Sequence, residues 1–586
     1  MVAPVADQTP VTTADEFCPA LDQSKPEIRI LELEDGTGDE EIRCRYRIVN
    51  LDDHPQYETL SYVWGLVTEH RTVLAEGYRV EVSDNLYAAL QRLRYVDRKR
   101  MIWIDAICIN QKDNKEKEGQ VDMMHRIYSQ CSLCSCWLGD FRNGPGTISV
   151  ASAQGLVDFV TFLNADLKGE VPSTIAEHDQ RIAVSKAIHS FMAAPWWTRV
   201  WTIQEIVLPS SSELLWGPVS VPWKALAKAA DLMTQSPGMN KMQSPINLWD
   251  FFSPDVSTGQ FTVPIKALTI ISKDSSSPID LFFRFRERAA TNPRDKVYSL
   301  LGLMRNWKPD RVRFADYSLD PVTLFSMISV DLLQMAGMRP FVGRSGGPPN
   351  IEGLPSWALD WTRQDPSQLS DNLNWWEHYF VYLKFDADAQ EGMNWLCSTD
   401  PGMKYLGLKG VKVGRVIFRD TPMTIERPDA TSSREDLKDR LLTMNMHIAA
   451  WKRGVLSFLE RAEEGKKLDH EKIWTSFEAV WNGTFQGIID PIPGAQWRLQ
   501  ILRNKTLLIT DTGYLGLGPG TAQAGDDIWV FRGGRVPFVI RPVGPAPEDA
   551  RFMMNMMVGD AYVNGIMAGE LMKGKDNNML NFVLLR

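Results

Sequence analysis

Two carboxylates stand among apolar neighbours, and each bears on chemistry. In PWWTRVWTIQEIVLP, Trp197, Trp201, Glu205 and Leu208 recur at spacings of four, four and three. A helix opened by Pro195 would put all four on one face. Glu205 is then an acid set into an apolar stripe. Burial without a cation raises a carboxyl's pKa, and such groups are enriched in active sites. The competing reading is a carboxylate bonded to a backbone N–H or to an arginine such as Arg199. Asp105 is the one polar residue in MIWIDAICI, residues 101–109. A carboxylate in an apolar strand is costly unless hydrogen-bonded or paired. Asp105 is therefore either a structural acceptor that ties down loops or part of a site.

The elements that must position these acids follow from periodicity. The apolar run from Met101 predicts a strand covered on both faces, with Asp105 near its middle. The charged segment from Lys112 opens a helix whose face carries Val121, Met124 and Tyr128. A second apolar run, Cys131 to Leu138, follows at once. Strand, helix and strand at this spacing make a βαβ unit, and ligands collect beyond the carboxyl ends of such strands.

Composition narrows the function classes. At 586 residues, about three or four domains are expected. A net charge of −9 argues against a nucleic-acid or anionic-membrane surface. The cluster Arg92, Arg94, Arg98, Lys99 and Arg100 reads as a solvated helix end. No apolar run reaches transmembrane length, and the first residues, without a basic or an apolar stretch, do not read as a secretory leader. Seven cysteines form no regular framework, which fits reduced thiols in a cytoplasmic protein. Cys131, Cys134 and Cys136 lie in a predicted strand without a second ligand pair at zinc spacing, so no metal is expected. Walker A, GxGxxG and HExxH motifs are absent from the sequence. His125 reads as a partly exposed helix residue.

Along the chain, residues 1–26 read as a disordered acidic tail. Residues 27–223 read as an α/β domain with added β-hairpins, one of them turning at Glu76-Gly77. Residues 224–342 read as helical, and Asp295 with Arg294 as an anchoring pair. Residues 343–402 read as a linker with an aromatic plug, LPSWALDW. Residues 403–586 read as a small β-rich barrel or sandwich with a helical insert over 434–480.

Three segments together resemble the fungal heterokaryon-incompatibility (HET) domain. They are Leu60-Ser61-Tyr62-Val63-Trp64-Gly65, then Trp103 to Gln111 with Gln120-Val121, Met124 and Ile127-Tyr128, then Arg199 to Glu205. Arg294 to Tyr298, LPSWALDW, GDDIWVF and Gly559 to Glu570 resemble the C-terminal half of long family members. The resemblance implies non-self recognition and programmed cell death, with a protein partner from an incompatible allele or locus and self-association as an option. HET domains have been compared with TIR domains, which share a flavodoxin-like parallel sheet with helices on both faces. Many TIR domains cleave the nicotinamide–ribose bond of NAD with a glutamate in a Trp-Cys-x-x-Glu pattern. Trp201 to Glu205 is similar, with Thr202 in place of the cysteine. NAD would then be a substrate and no resident cofactor is implied. On this resemblance Glu205 and Asp105 are the catalytic candidates, and Ser61, Tyr62, Trp64, Gly65, Asn110, Gln111, Trp201 and Gln204 the ligand-binding ones. The alternative it leaves open is a non-enzymatic assembly module whose C-terminal half senses a partner.

Overall fold

The structure is a computed structural model that describes residues 11–12, 18–38, 40–65, 70–143, 148–165, 167, 170–235, 248–251, 258–273, 277–304, 307, 309–342, 349–362, 385–389, 398–399, 403–424, 434–482, 502, 504–546, 552–576 and 578–586. The expected tail over 1–10 and 13–17, the start of the linker over 343–348 and the return of β structure at Gln496 lie outside the described residues. The chain forms two compact units. The first comprises Met1–Ser277, Arg288–Lys308 and Phe314–Ser318, and the second Pro278–Glu287, Pro309–Arg313 and Leu319–Arg586.

The first unit is built on a mixed sheet. Its strands are β1 (Val11–Thr12), β2 (Glu27–Leu33), β3 (Arg43–Asn50), β4 (Glu58–Tyr62), β5 (His70–Ala75), β6 (Tyr78–Ser83), β7 (Arg100–Trp103), β8 (Cys134–Trp137), β9 (Ser212–Trp216) and β10 (Val219–Pro222). The order across the sheet is β1-β6-β5-β3-β2-β7-β4-β8-β9-β10. The centre, β7-β4-β8-β9, is parallel, and antiparallel partners flank it on both sides. The β5–β6 hairpin turns at Glu76 and Gly77, with φ of 51° and 85°. Two successive left-handed residues match the strand twist of a tight hairpin. Helix α1 (Asp84–Leu93) starts where the Ser83 hydroxyl accepts from the Leu86 N–H at 3.2 Å.

Two elements depart from the sequence expectation. The run from Met101 is not one strand: β7 ends at Trp103, and helix α2 (Asp105–Cys108) follows. Asp105 therefore stands just past the strand end and not in its middle. The cause is local. The Ile104 carbonyl accepts from the N–H groups of Ile107 and Cys108 at 3.1 and 2.7 Å, and an Asp105 oxygen accepts from Ala106 N–H at 2.7 Å. These bonds compete with the sheet ladder and win. Helix α3 (Asn114–Gln130) comes next, capped by Asp113. Helices α4 (Val150–Asn164) and α5 (His178–Met192) pack together.

The second departure is at Pro195. A single helix does not run to Leu208. A tight turn, Pro195–Thr198, is followed by extended Arg199, and only then by α6 (Thr202–Val207). Val200 N–H donates to the Ala289 carbonyl at 2.9 Å, and Ala289 N–H returns a bond to Thr198 at 2.5 Å. This exchange draws the backbone out of helical form. Helix α6 packs on β4, β8 and α3, which turns Glu205 toward the sheet.

A buried ion pair braces this region. Arg29 on β2 makes two bonds to Glu116 on α3, at 2.6 and 2.8 Å, and a third to the Cys108 carbonyl at 2.9 Å. Cys131, Cys134 and Cys136 are buried free thiols, with the Cys134 and Cys136 sulfurs 3.9 Å apart on one side of β8.

The second unit holds β11 (Ser398–Thr399), β12 (Leu406–Arg419), β13 (Lys505–Thr510), β14 (Leu515–Pro519), β15 (Asp527–Phe531), β16 (Phe538–Pro545), β17 (Met553–Asp560), β18 (Tyr562–Val563) and β19 (Asn581–Leu585). The pairing β15-β16-β17-β19-β12 closes on itself, because β12 also pairs with β15. Val413, Leu508, Ile528, Val530 and Val539 belong to its core. The helices Arg434–Arg461, Glu463–Lys466 and His470–Asn482 are inserted between β12 and β13. Trp357 and Trp361 are core residues, with Trp361 against the rings of Phe282 and Phe283 at 4.8 and 5.6 Å. Asp526 pairs with Arg541, and Asp527 with Lys412 and Arg415.

Candidate functional site

The carboxyl ends of β4 and β7, the start of α2 and the start of α6 bring the two predicted acids into one neighbourhood. Ser61 on β4 donates its hydroxyl hydrogen bond to Glu205, and the Trp196 indole N–H donates to the same hydroxyl at 2.7 Å. Glu205 is 5% exposed. Burial, and then the charge of Asp105, push its carboxyl up to about 7, while Arg199 and the Ser61 hydroxyl pull the other way. Asp105 is raised as well, by burial, and opposed by Arg199, by the Trp64 and Ala106 donors and by Lys117. The Trp64 indole N–H reaches Asp105 at 2.9 Å, yet Trp64 remains 39% exposed. A wide apolar ring held by its N–H at an exposed edge is suited to stack on a planar ligand.

Arg199 lies within electrostatic reach of both acids. Its guanidinium donates to the Tyr62 carbonyl at 2.8 Å and makes no ion pair with Asp105 or Glu205 among the described residues. Two buried phenols complete the cluster. Tyr62 on β4 and Tyr128 on α3 both feel the charges of Asp105 and Glu205, which raise them further beyond the effect of burial.

The remaining predicted residues divide. Gly65 follows Trp64 in the left-handed region, with φ of 75°. Gln111 donates to the Asp105 carbonyl at 3.0 Å and so steadies α2. Asn110 is used locally: its N–H donates to Glu116 at 2.8 Å and its side chain accepts from Lys112 N–H at 3.1 Å. Gln204 is 2% exposed and donates to the Ser299 carbonyl at 2.6 Å, which ties α6 to the helix Asp295–Leu301. Trp201 donates to Asp295 at 3.0 Å, and the Tyr317 hydroxyl donates to the other oxygen of Asp295 at 2.8 Å. These two donors anchor the Asp295 carboxylate, where the sequence pointed to its neighbour Arg294. His125 is an exposed-side helix residue bonded at Nδ1 to the Asp122 carbonyl at 2.8 Å.

Sequence reasoning gave no site role to Trp196, Tyr128 or Asp295, and only a structural one to Arg199. All four lie inside or beside the quoted motif segments, and that adjacency was the available signal.

The comparisons with known proteins fall on the same segments. The family model for heterokaryon incompatibility protein (HET) matches residues 57–205, from the residue before β4 to Glu205 itself. Residues 57–205 thus form a segment similar to the HET domain. A second model, the Het-6 beta-barrel domain, matches residues 495–584, which include β13 to β18 and most of β19. The chain is similar to heterokaryon incompatibility protein 6, OR allele, of Neurospora crassa, at 25% identity over 660 aligned positions covering 94% of this chain and 95% of that one. It is also similar to vegetative incompatibility protein HET-E-1 of Podospora anserina, at 23% identity over 42% of this chain and 14% of that protein. No solved structure matches the chain. Among the described residues, no helix is long and apolar enough to cross a membrane.

Proposed function

We propose that this protein is an effector of non-self recognition that triggers cell death, and that its first unit cleaves NAD at the nicotinamide–ribose bond. The incompatibility role rests on the family and on the two named relatives. The chemical role rests on one observation: Glu205 and Asp105 share a neighbourhood with Arg199 and with the buried residues Tyr62 and Tyr128.

The nicotinamide of NAD is a cationic leaving group and needs no proton. As the C1′–N1 bond breaks, its electron pair leaves with nicotinamide, and C1′ takes oxocarbenium character. An ionised Glu205 beside the ribose stabilises that positive charge and accepts from its hydroxyls. Water then bonds to C1′, its proton passes to solvent, and ADP-ribose is the other product. Trp64, exposed and fixed by Asp105, stacks on a planar ring. The likeness of Trp201 to Glu205 to the TIR pattern supports the same assignment.

The test is incubation of the purified full-length chain with NAD, with nicotinamide release followed by chromatography. Release by the wild type and its loss in a folded Glu205→Ala variant support the proposal. An inert wild type whose expression still kills cells overturns the chemistry and leaves the assembly reading.

A further inference from the structure

The segment that matches the HET family ends at residue 205, yet the hydrogen-bond chain that starts inside it does not. Trp201 donates its indole N–H to Asp295 at 3.0 Å, and the second oxygen of Asp295 accepts from the Tyr317 hydroxyl at 2.8 Å. The Tyr317 ring lies under the Lys117 ammonium, 4.9 Å from its centroid. Its backbone N–H donates to Glu118 at 2.7 Å, and the N–H of Ala315 donates to Asp122 at 2.8 Å. The strip Phe314–Ser318 is thus pinned along α3, within the first unit.

We infer that Asp295 and Tyr317 are positioning residues that fix the Trp201 indole as a second ring-stacking surface of the site, so the HET segment alone is an incomplete site. Trp201 is half-buried and stands two residues from Arg199 and four from Glu205. A free indole there would sample several rotamers. A carboxylate on its N–H, itself held from the far side, selects one. The inference rests on the NAD reading for its ligand but not for its geometry.

The experiment uses the full chain. Asp295→Ala should raise the KM for NAD about tenfold, the effect of losing one stacking contact, with kcat changed less than about twofold. Asp295→Asn should stay within about twofold of wild type on both, because an amide oxygen still accepts from the indole and its NH₂ can donate to the Tyr317 hydroxyl. Asp295→Ala should add nothing in a Trp201→Ala background. Independently of turnover, the chain labelled with 5-fluorotryptophan gives a Trp201 fluorine resonance, identified by its loss in Trp201→Phe. That resonance should shift in Asp295→Ala and in Tyr317→Phe and hold in Asp295→Asn. An unmoved resonance in Asp295→Ala, or Asp295→Asn as impaired as Asp295→Ala, overturns the inference. Wild type without nicotinamide release but with these resonance shifts overturns only the NAD reading.

Discussion

Ser61 and Glu205, 144 residues apart in sequence, share a buried hydrogen bond in which the serine hydroxyl donates. The same hydroxyl accepts from Trp196, so one small side chain satisfies a carboxylate and an indole together. It joins β4 to the turn before α6 and to α6 itself.

Replacing Ser61 by alanine strands both partners. Ser61→Ala should lower stability by about 2–3 kcal/mol, the usual cost of leaving buried polar groups unmet. It should also raise the Glu205 pKa further, since a donor to the charged form is lost. Urea unfolding at neutral pH measures the first effect; an unchanged midpoint would refute it.

Glu205 makes stability depend on pH. Its carboxyl sits at about 7 when folded, against an ordinary value of 4.5. The folded chain therefore keeps a proton that the unfolded chain has released. The stability from that proton is complete below about 4.5 and is lost as pH rises to about 7. Asp122, raised to about 6 by burial, adds to the same slope. Glu205→Gln cannot lose its proton. Relative to wild type it should gain up to roughly 3 kcal/mol between pH 4.5 and pH 8. Parallel unfolding curves for the two proteins at both pH values would contradict this.

The same ionisation governs the proposed chemistry. If the charged carboxylate is the working form, kcat/KM for NAD rises with pH and levels off above about 7. Asp105→Asn removes a negative neighbour and should move that inflection to lower pH. An inflection that stays in place shows that Asp105 does not influence the working group.

Arg29 and Glu116 are 1% and 6% exposed, and their pair braces α3 against β2. Arg29→Met leaves a buried carboxylate without its cation and should cost about 3–5 kcal/mol. Adding Glu116→Gln keeps an acceptor for the Asn110 N–H and removes the orphaned charge. The double variant should recover more than half of the loss, as read by guanidinium denaturation.

In the second unit, Gly337 ends the helix Pro321–Ala336 with φ of 60°, and a Cβ there would lie 2.6 Å from the Gly533 carbonyl oxygen. Gly337→Ala should destabilise the chain by about 2–3 kcal/mol through backbone strain and this clash. A melting temperature equal to wild type would show that the turn simply moves aside.

What the sequence revealed follows what is local. The Glu76-Gly77 hairpin, the Ser83 cap and the burial of Glu205 between apolar neighbours are each written within a few residues. The misreadings arose where distant backbone intervened or where a local turn outcompeted the sheet. Asp105 looks mid-strand because the apolar run continues, but β7 stops and the Ile104 carbonyl starts a helical turn. The stretch from Pro195 has helical spacing, but Ala289, some ninety residues on, captures its backbone. The partnership of Trp201 with Asp295 likewise has no periodicity to announce it.

Strand β12 is the common member of the barrel: β19 and β15 flank its first part and β13 its last. The ribosome finishes it at Arg419, while β13 begins only at Lys505. At about 5–20 residues per second, that leaves its last part without β13 for roughly 4–17 s. The inserted helices emerge during this wait, so they are available as a temporary cover for a strand that would otherwise meet other nascent chains bare.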